Sequence, residues 1–165
     1  CQSPERGGHD RLHAAAGAAA LLGRSALGVN AGTALTVDVL RVAGARASFL
    51  GGAIAPGPGL LARALAEGTA QLPLVVPRPG VPALGRETEA ALVAGIVHGF
   101  RGAAAHLVDE LAREAELDSA PVVLTGGARA FLLEPGPFTL RTLVLAPELV
   151  QRGLLAALRA HGAAR

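Results

Sequence analysis

The stretch from Ala26 to Leu40 constrains the fold of this chain more than any other. Ala26, Leu27 and Val29 form the apolar lead-in of a strand. Asn30-Ala31-Gly32 then reads as a tight turn, because Asn and Gly accept the left-handed backbone conformations that turns require. From Ala34 to Leu40 the residues alternate, with Leu35, Val37 and Val39 on one face and Thr36 and Asp38 on the other, which predicts a second strand. Val42-Ala43-Gly44 predicts another turn and residues 45–51 a third strand, so the sequence implies a three-stranded meander. A Gly-Thr turn between two strands offers backbone N–H groups and a hydroxyl to an anion, phosphate being the commonest. An ordinary hairpin with solvated Thr and Asp side chains is the alternative at this point.

The rest of the chain supplies helices. Asp10, or His9 before it, can cap a helix running to about Leu22, with Leu12, Ala16, Ala19 and Ala20 as a small-residue face suited to close packing on a sheet. Gly51 to Gly59 is crowded with Gly and Pro and predicts a loop, followed by a helix over about 60–67 that Gly68 ends. Residues 71–84 hold four prolines and predict an extended surface segment. The longest helix is expected over about 87–115, with Leu92, Ile96, Phe100, Ala103, Leu107 and Leu111 as its apolar stripe. Gly95, Gly99 and Gly102 each cost a helix interior ~1 kcal/mol relative to Ala, and three of them suggest close approach by another helix, one from a second subunit included. A buried strand at 121–125, a short helix at 128–133, a strand at 142–145 and a helix from Pro147 to about His161 complete the order. A meander followed by alternating strands and helices is the order of an α/β, ribonuclease H-like half of the actin-like nucleotide-binding fold.

At 165 residues the chain is one domain by size. Hydrophobic residues make up 51% and charged residues 17%, a globular balance. All 15 basic residues are Arg and the formal net charge is only +2. With no basic run and only four aromatic side chains, all Phe, a nucleic-acid surface is not expected. The single cysteine, Cys1, excludes an internal disulfide and fits a reducing cytoplasm. The longest apolar run, Ala14–Gly23, is about half of what a bilayer span needs. The absence of any Met suggests that the sequence is a fragment or a processed form.

Several residues could carry chemistry. The Asp10 carboxylate could take a proton from an attacking hydroxyl, and the adjacent Arg11 could hold an anion. Thr33, Thr36 and Asp38 could face phosphates or a cation. Thr125-Gly126-Gly127 ends a strand with two glycines before a short helix, which lets backbone approach a nucleotide. Thr88, at a helix start, could bind a hydroxyl or carboxylate. Each has a plainer reading as a cap, a hairpin side chain or a tight turn. His9 and His13 lie four apart but have no third ligand nearby, so they read as surface residues.

Taken together, these stretches resemble the type III pantothenate kinase family, over nearly the whole chain and in the family's order. Gly8-His9-Asp10-Arg11 is similar to its Gly-x-Asp-Arg, and Asn30 to Asp38 to its Asp-x-Gly-Thr-Ala-x-Thr-x-Asp. Gly51–Gly57, Thr69–Pro73, Gly85–Thr88, Thr125–Gly127 and Pro147–Leu149 with Gly153-Leu154 also fit. The resemblance implies an ATP-dependent kinase that phosphorylates pantothenate, the first step of coenzyme A synthesis. Asp10 would accept the proton of the pantothenate hydroxyl, and Gly8, His9, Arg11 and Thr88 would bind pantothenate. Thr33, with Gly126 and Gly127, would contact ATP. The resemblance also implies Mg2+, a monovalent cation (potassium or ammonium) at position 30, a cytoplasmic homodimer and a substrate site near the subunit interface.

The chain departs from the family pattern in two ways. Asn30 stands where the family has a cation-binding Asp, and the family's N-terminal half, with its Asp-x-Gly-Asn-Thr phosphate loop, has no counterpart here. Residues 1–165 are therefore expected to be a single ribonuclease H-like C-terminal domain. The alternative to an active kinase is a degenerate, non-catalytic relative that serves as a binding or regulatory module.

Overall fold

A computed structural model of the protein describes residues 8–44, 46–133 and 136–162, with side chains to Arg159. The elements are α1 (His9–Leu22), β1 (Ala26–Ala31), β2 (Ala34–Ala43), β3 (Arg46–Pro56), α2 (Pro58–Gly68), α3 (Thr88–Glu114), β4 (Val122–Thr125), a 3-10 turn (Arg129–Leu132), β5 (Leu143–Leu145) and α4 (Leu149–Gly162). The five strands form one sheet in the order β3-β2-β1-β4-β5. The meander β1-β2-β3 is antiparallel, and β4 and β5 add parallel to β1.

The alternation foreseen in β2 decides how the sheet is covered. Leu35, Val37 and Val39 join Leu27, Val29 and Ala31 of β1 and Val122 and Leu124 of β4 on one face, where α3 supplies Phe100, Ala104, Val108 and Ala112. Side chains of this kind contribute about 1.5–3 kcal/mol each when fully buried, so this face is the main core. The other face carries Ala26, Leu40 and Val123 under Ala14, Ala15 and Ala18 of α1 and Leu149 of α4. Helices α1 and α4 touch almost backbone to backbone. A Cβ added at Gly153 would stand 1.6 Å from the His13 carbonyl oxygen, and one at Gly17 would stand 2.2 Å from that of Leu149.

Several expectations change in detail. Helix α1 begins at His9 with Gly8 as its N-cap residue, so Asp10 is a first-turn side chain and not the cap. Its buried face is Ala14, Ala15, Gly17 and Ala18, because α4 as well as the sheet packs on it; Leu12, Ala16 and Ala19 are half-buried and Ala20 is exposed. Strand β3 runs on through the Gly-rich stretch to Pro56, where a loop was expected. It is an edge strand, which tolerates Gly and a terminal Pro, and a bulge absorbs the irregularity: Val39 pairs with Gly51 and Leu40 with Phe49, which leaves Leu50 over. Helix α2 starts earlier, at Pro58, a position where the missing N–H costs nothing. The helix expected at 128–133 is only a 3-10 turn. The loop expected over Cys1–Gly8 lies outside the described residues except for Gly8, as does Ala45 of the expected third strand.

In α3 the deepest stripe is Phe100, Ala104, Val108 and Ala112, four residues apart. Of the stripe foreseen, Ile96 and Phe100 are buried, while Leu92, Ala103, Leu107 and Leu111 flank it half-buried. Among the described residues α3 is the one helix long and apolar enough to cross a membrane by length and composition. Its buried stripe is the sheet's main cover. Gly95, Gly99 and Gly102 face open space, with nothing within 4 Å of an added Cβ, so the close approach suggested by these glycines is not made within the chain.

These two sets of glycines should respond oppositely to Ala. Gly153→Ala should lower unfolding free energy by about 1–3 kcal/mol or more through overpacking, whereas Gly102→Ala should raise it by up to about 1 kcal/mol through helix propensity. Chemical denaturation followed by circular dichroism checks both.

Candidate active site

The face of the sheet beneath α1 is not wholly apolar. Strand register sets Thr36 of β2, Asn30 of β1 and Thr125 of β4 side by side in one row. In the next row Gly52 of β3, Asp38 of β2 and Gly28 of β1 are neighbours. Thr36, Asp38 and Thr125 are buried at 8%, 6% and 3% exposure, which excludes the solvated-hairpin reading. Thr125 Oγ1 donates to the Pro147 carbonyl at 3.3 Å and so ties β4 to the start of α4. Thr36 Oγ1 is buried with no hydrogen-bond partner of good geometry, although it lies close enough to the Asp38 carboxyl to draw its pKa down.

Asp38 is held from above by α1. Arg11 donates to Asp38 Oδ1 from Nε at 3.0 Å and from Nη2 at 2.5 Å, and its guanidinium carbon lies 5.5 Å from the centre of the Phe49 ring, a cation–π contact. Gly52, beside Asp38 on β3, gives this pair its space. A Cβ at Gly52 would stand 2.7 Å from Asp38 Oδ1 and 2.0 Å from the Val37 carbonyl oxygen. Burial pushes the Asp38 carboxyl above its usual value, outweighing the opposite pull of Arg11 and Thr36, and the charge of Asp10 adds to the rise. That last influence places Asp10 near the pair. Asp10 is exposed, and its carboxylate folds back over Gly8, where a Cβ would meet Asp10 Oδ1 at 2.6 Å. Adjacent residues diverge by about 100° around a helix, which is how Asp10 turns outward while Arg11 turns to the sheet.

A second part of the site gathers at the β1–β2 turn. Thr33 is exposed at its tip, and Gly57 donates its N–H to the Thr33 carbonyl at 3.0 Å. A Cβ on Gly57 would lie 2.2 Å from the Gly32 oxygen. From the β4 side Gly126, in a left-handed conformation (φ +97°), packs so closely that a Cβ would meet the Ala31 oxygen at 2.2 Å and Asn30 Oδ1 at 2.6 Å. Three chain segments thus converge, backbone against backbone, around Asn30–Thr33. Gly126 is thus packed against Asn30 and Ala31, while a Cβ at Gly127 would meet nothing within 4 Å. The 3-10 turn behind them is too short for the helix N-terminus foreseen there, and the Gly126 carbonyl accepts from Arg129 Nη1 at 3.0 Å.

Gly8 caps α1, and His9, Asp10 and Arg11 form its first turn. Asn30 and Ala31, expected in the turn, are paired residues of β1, so the turn itself is Gly32-Thr33 and none of its residues has the left-handed backbone foreseen. Thr88 is not with them. It is exposed at the first position of α3, on the opposite side of the sheet, beside Leu72, Ala91 and Leu92. Among the described residues no group of three or more His, Cys, Asp or Glu side chains could hold a metal ion. Asp38 is the only carboxylate on the five strands, and it is engaged by Arg11. The sequence pattern pointed to Gly52 and Gly57 only as members of the Gly51–Gly57 motif, without a role, and not to Phe49. The signal for the role of Gly52, a glycine spaced to oppose a strand carboxylate, was hidden by reading 51–59 as loop.

The raised Asp38 pKa has a measurable consequence. A carboxyl whose folded pKa lies above its unfolded value of about 3.8 contributes full stability below that value and loses it as pH rises through the folded pKa. Wild-type stability minus that of Asp38→Asn should therefore fall as pH is raised from about 3.8, the reverse of a carboxylate stabilised by its ion pair. Urea titrations of both proteins across the acidic range check the sign.

The sequence model of the family described as type III pantothenate kinase matches residues 1–110. The chain is 37% identical over 133 residues to the type III pantothenate kinase of Akkermansia muciniphila, covering 81% of this chain and 53% of that protein. It is 45% identical over 134 residues to that of Aromatoleum aromaticum (80% and 51%) and 30% identical over 152 residues to that of Thermosipho africanus (92% and 58%). The chain thus spans about half the length of the relatives it matches. In fold it is similar to a Baf family protein from Campylobacter jejuni, with a TM-score of 0.60 at 19% identity over 96% of this chain and 67% of that one. With its family motifs at the head of α1 and around the β1–β2 turn, and with two thirds of its length under the family's sequence model, this chain belongs to the type III pantothenate kinase family.

Proposed function

We propose that the chain is the acceptor-binding, ribonuclease H-like C-terminal domain of an ATP-dependent kinase that phosphorylates pantothenate to 4'-phosphopantothenate. The observation that carries this reading is the pairing at the head of α1 of an exposed carboxylate, Asp10, with an arginine fixed beside it. The strand order, with three antiparallel strands followed by two parallel ones, supports the ribonuclease H-like class. Relatives named as kinases weigh against a non-catalytic binding module.

In this reading Asp10 accepts the proton of the substrate hydroxyl as that oxygen bonds to the γ-phosphorus of ATP and the bond to the β–γ bridging oxygen breaks. The products are the phosphate ester and ADP. An exposed carboxylate suits this role, since it can meet the substrate hydroxyl directly and the proton is released only as the new bond forms. Phosphoryl transfer depends mainly on positioning and charge stabilisation. The backbone around Thr33, Gly126 and Gly127 is the surface offered to the nucleotide, and Gly8, His9 and Arg11 the surface offered to pantothenate.

The metals fit this chain less well. Mg2+ would supply charge neutralisation for the phosphates, yet the described residues provide no carboxylate cluster for it. Carboxylate ligands for it would have to come from outside the described residues. At the monovalent-cation position Asn30 offers one uncharged oxygen beside Gly126, so no step is assigned to a cation there.

Thr88 finds its place in a homodimer. It lies across the sheet from Asp10, and the α3 face that follows it carries the open glycines Gly95 and Gly99 beside an apolar groove lined by Ala55, Leu61 and Leu65. A second copy packed on this face would let α3 helices approach closely and bring Thr88 towards a neighbouring acceptor site. A cytoplasmic location accords with this role and with the single cysteine.

The test uses the full-length protein with ATP, Mg2+, potassium and pantothenate. Phosphopantothenate should form, and Asp10→Asn should lower kcat by about 10²–10⁴-fold with little change in melting temperature. A folded dimer that makes no product at any potassium or ammonium concentration would refute the kinase reading.

A further inference from the structure

We propose that Asp38 is the positioning residue for Arg11, clamping one edge of its guanidinium so that the other edge meets the carboxylate of the acceptor substrate. The inference rests on the reading above in which Arg11 binds pantothenate.

A free arginine side chain samples many rotamers, and ordering it opposes binding. Here three features remove that freedom in advance. The Asp38 oxygen takes both Nε and Nη2, the side-on edge of the fork. The Phe49 ring lies against the guanidinium. Gly52, beside Asp38 in the sheet, keeps the lane open, since a Cβ there would run into the carboxylate itself. A guanidinium held on its Nε–Nη2 edge presents Nη1 and Nη2 as the end that a carboxylate or phosphate engages in parallel hydrogen bonds.

The pair is not a surface ornament. Both side chains are largely withdrawn from solvent, at 16% and 9% exposure, and the arginine is adjacent in sequence to the exposed Asp10. Asp38 also cancels much of the Arg11 charge. An anion is then bound here by directed hydrogen bonds, and its specificity comes from geometry and not from net charge. This distinguishes a positioning role from the two obvious rivals. A purely structural ion pair would affect only stability. A purely electrostatic brake would weaken anion binding, so that its removal would tighten it.

The experiment takes the full-length protein and its Asp38→Asn, Asp38→Glu, Arg11→Lys and Asp38→Asn/Arg11→Lys variants. Steady-state kinetics are read separately for pantothenate and ATP. The slowed solvent exchange of the Arg11 Nε–H is read by NMR, the signal being identified by its loss in Arg11→Lys. Asp38→Asn should raise KM for pantothenate by roughly ten- to a hundredfold, the scale of a misplaced binding group, with KM for ATP unchanged. Asp38→Glu should restore part of this, and the double variant should be no worse than Arg11→Lys alone, as expected of residues acting through one contact. The Arg11 Nε–H should exchange fast in Asp38→Asn. If that variant folds poorly, Phe49→Leu should give a smaller change of the same kind. The proposal is overturned if Asp38→Asn changes only melting temperature, if it lowers KM for pantothenate, if the two single effects multiply, or if Arg11 Nε–H exchange is unaltered. Should wild-type protein turn over no pantothenate, the kinase reading fails, while the NMR result still decides whether Asp38 fixes Arg11.

Discussion

A carboxylate set into the face of a sheet is the constraint around which this domain is arranged. Asp38 sits in β2, between β1 and β3, at 6% exposure, where an uncompensated charge would cost several kcal/mol. The fold answers with Arg11 from α1, and that single demand fixes where α1 must begin and how it is turned. With Arg11 directed at the sheet, Asp10 is directed outward, and the alanines one to two turns later fall onto the sheet and α4. The packing of α1 against α4 is then so close that Gly17 and Gly153 leave no room for a methyl group. The pair does not make the domain more stable than an apolar substitute would, since buried ion pairs rarely do. Its effect is to define one register of helix on sheet and, with it, one orientation of the two residues at the head of the helix.

The same economy of side chains appears at the β1–β2 turn. Gly57 and Gly126 come from segments far apart in sequence, yet each packs so closely that an added Cβ would stand 2.2 Å from a carbonyl oxygen at the turn, that of Gly32 or of Ala31. Gly57 and Ala128 donate their N–H groups to the Thr33 and Ala31 carbonyls, so the three segments are joined at the turn through backbone with little side-chain bulk. The polar row Thr36–Asn30–Thr125 underlies it, so the sheet is apolar towards α3 and partly polar towards α1. This asymmetry accounts for the unequal cores. The α3 face holds the large side chains and most of the burial, while the α1 face is lined with Ala and Gly and trades packing volume for polar groups.

How far this was legible follows from the range of each interaction. The meander, the face assignment of Leu35, Val37, Val39, Thr36 and Asp38, and the long helix were all readable, because alternation and helical spacing are local. The grouping of Gly8–Arg11 with Asn30–Thr33 rested on motif order; the contact the structure shows from the head of α1 to the sheet is Arg11 with Asp38. What could not be read was long-range. Arg11 and Asp38 are 27 positions apart, and nothing in their neighbourhoods announces the pair. Gly51 and Gly52 looked like loop because glycine is common in loops. In the folded chain Gly51 sits at a bulge and Gly52 is the space in which a carboxylate lies. The α1 face was misjudged for a related reason: the sequence showed one partner for that helix, and it has two.

The position of Thr88 bears on how the site is completed. A domain of two layers around one sheet cannot bring the start of α3 to the start of α1, because the sheet stands between them. Any function that needs both must draw one of them from another copy. The α3 surface has the features such packing requires. Its glycines are open where helix interiors ordinarily avoid glycine, at ~1 kcal/mol each, and the groove beside them is apolar. Leu74, Val76 and Leu84, in the proline-rich segment leading to Thr88, are exposed at 65%, 84% and 73%, on the same side of the sheet as α3. Covering these side chains and the glycine-lined face of α3 is what the homodimer proposed above would supply. That association would carry Thr88 to the acceptor site of a neighbour whose own Asp10 and Arg11 are already in place.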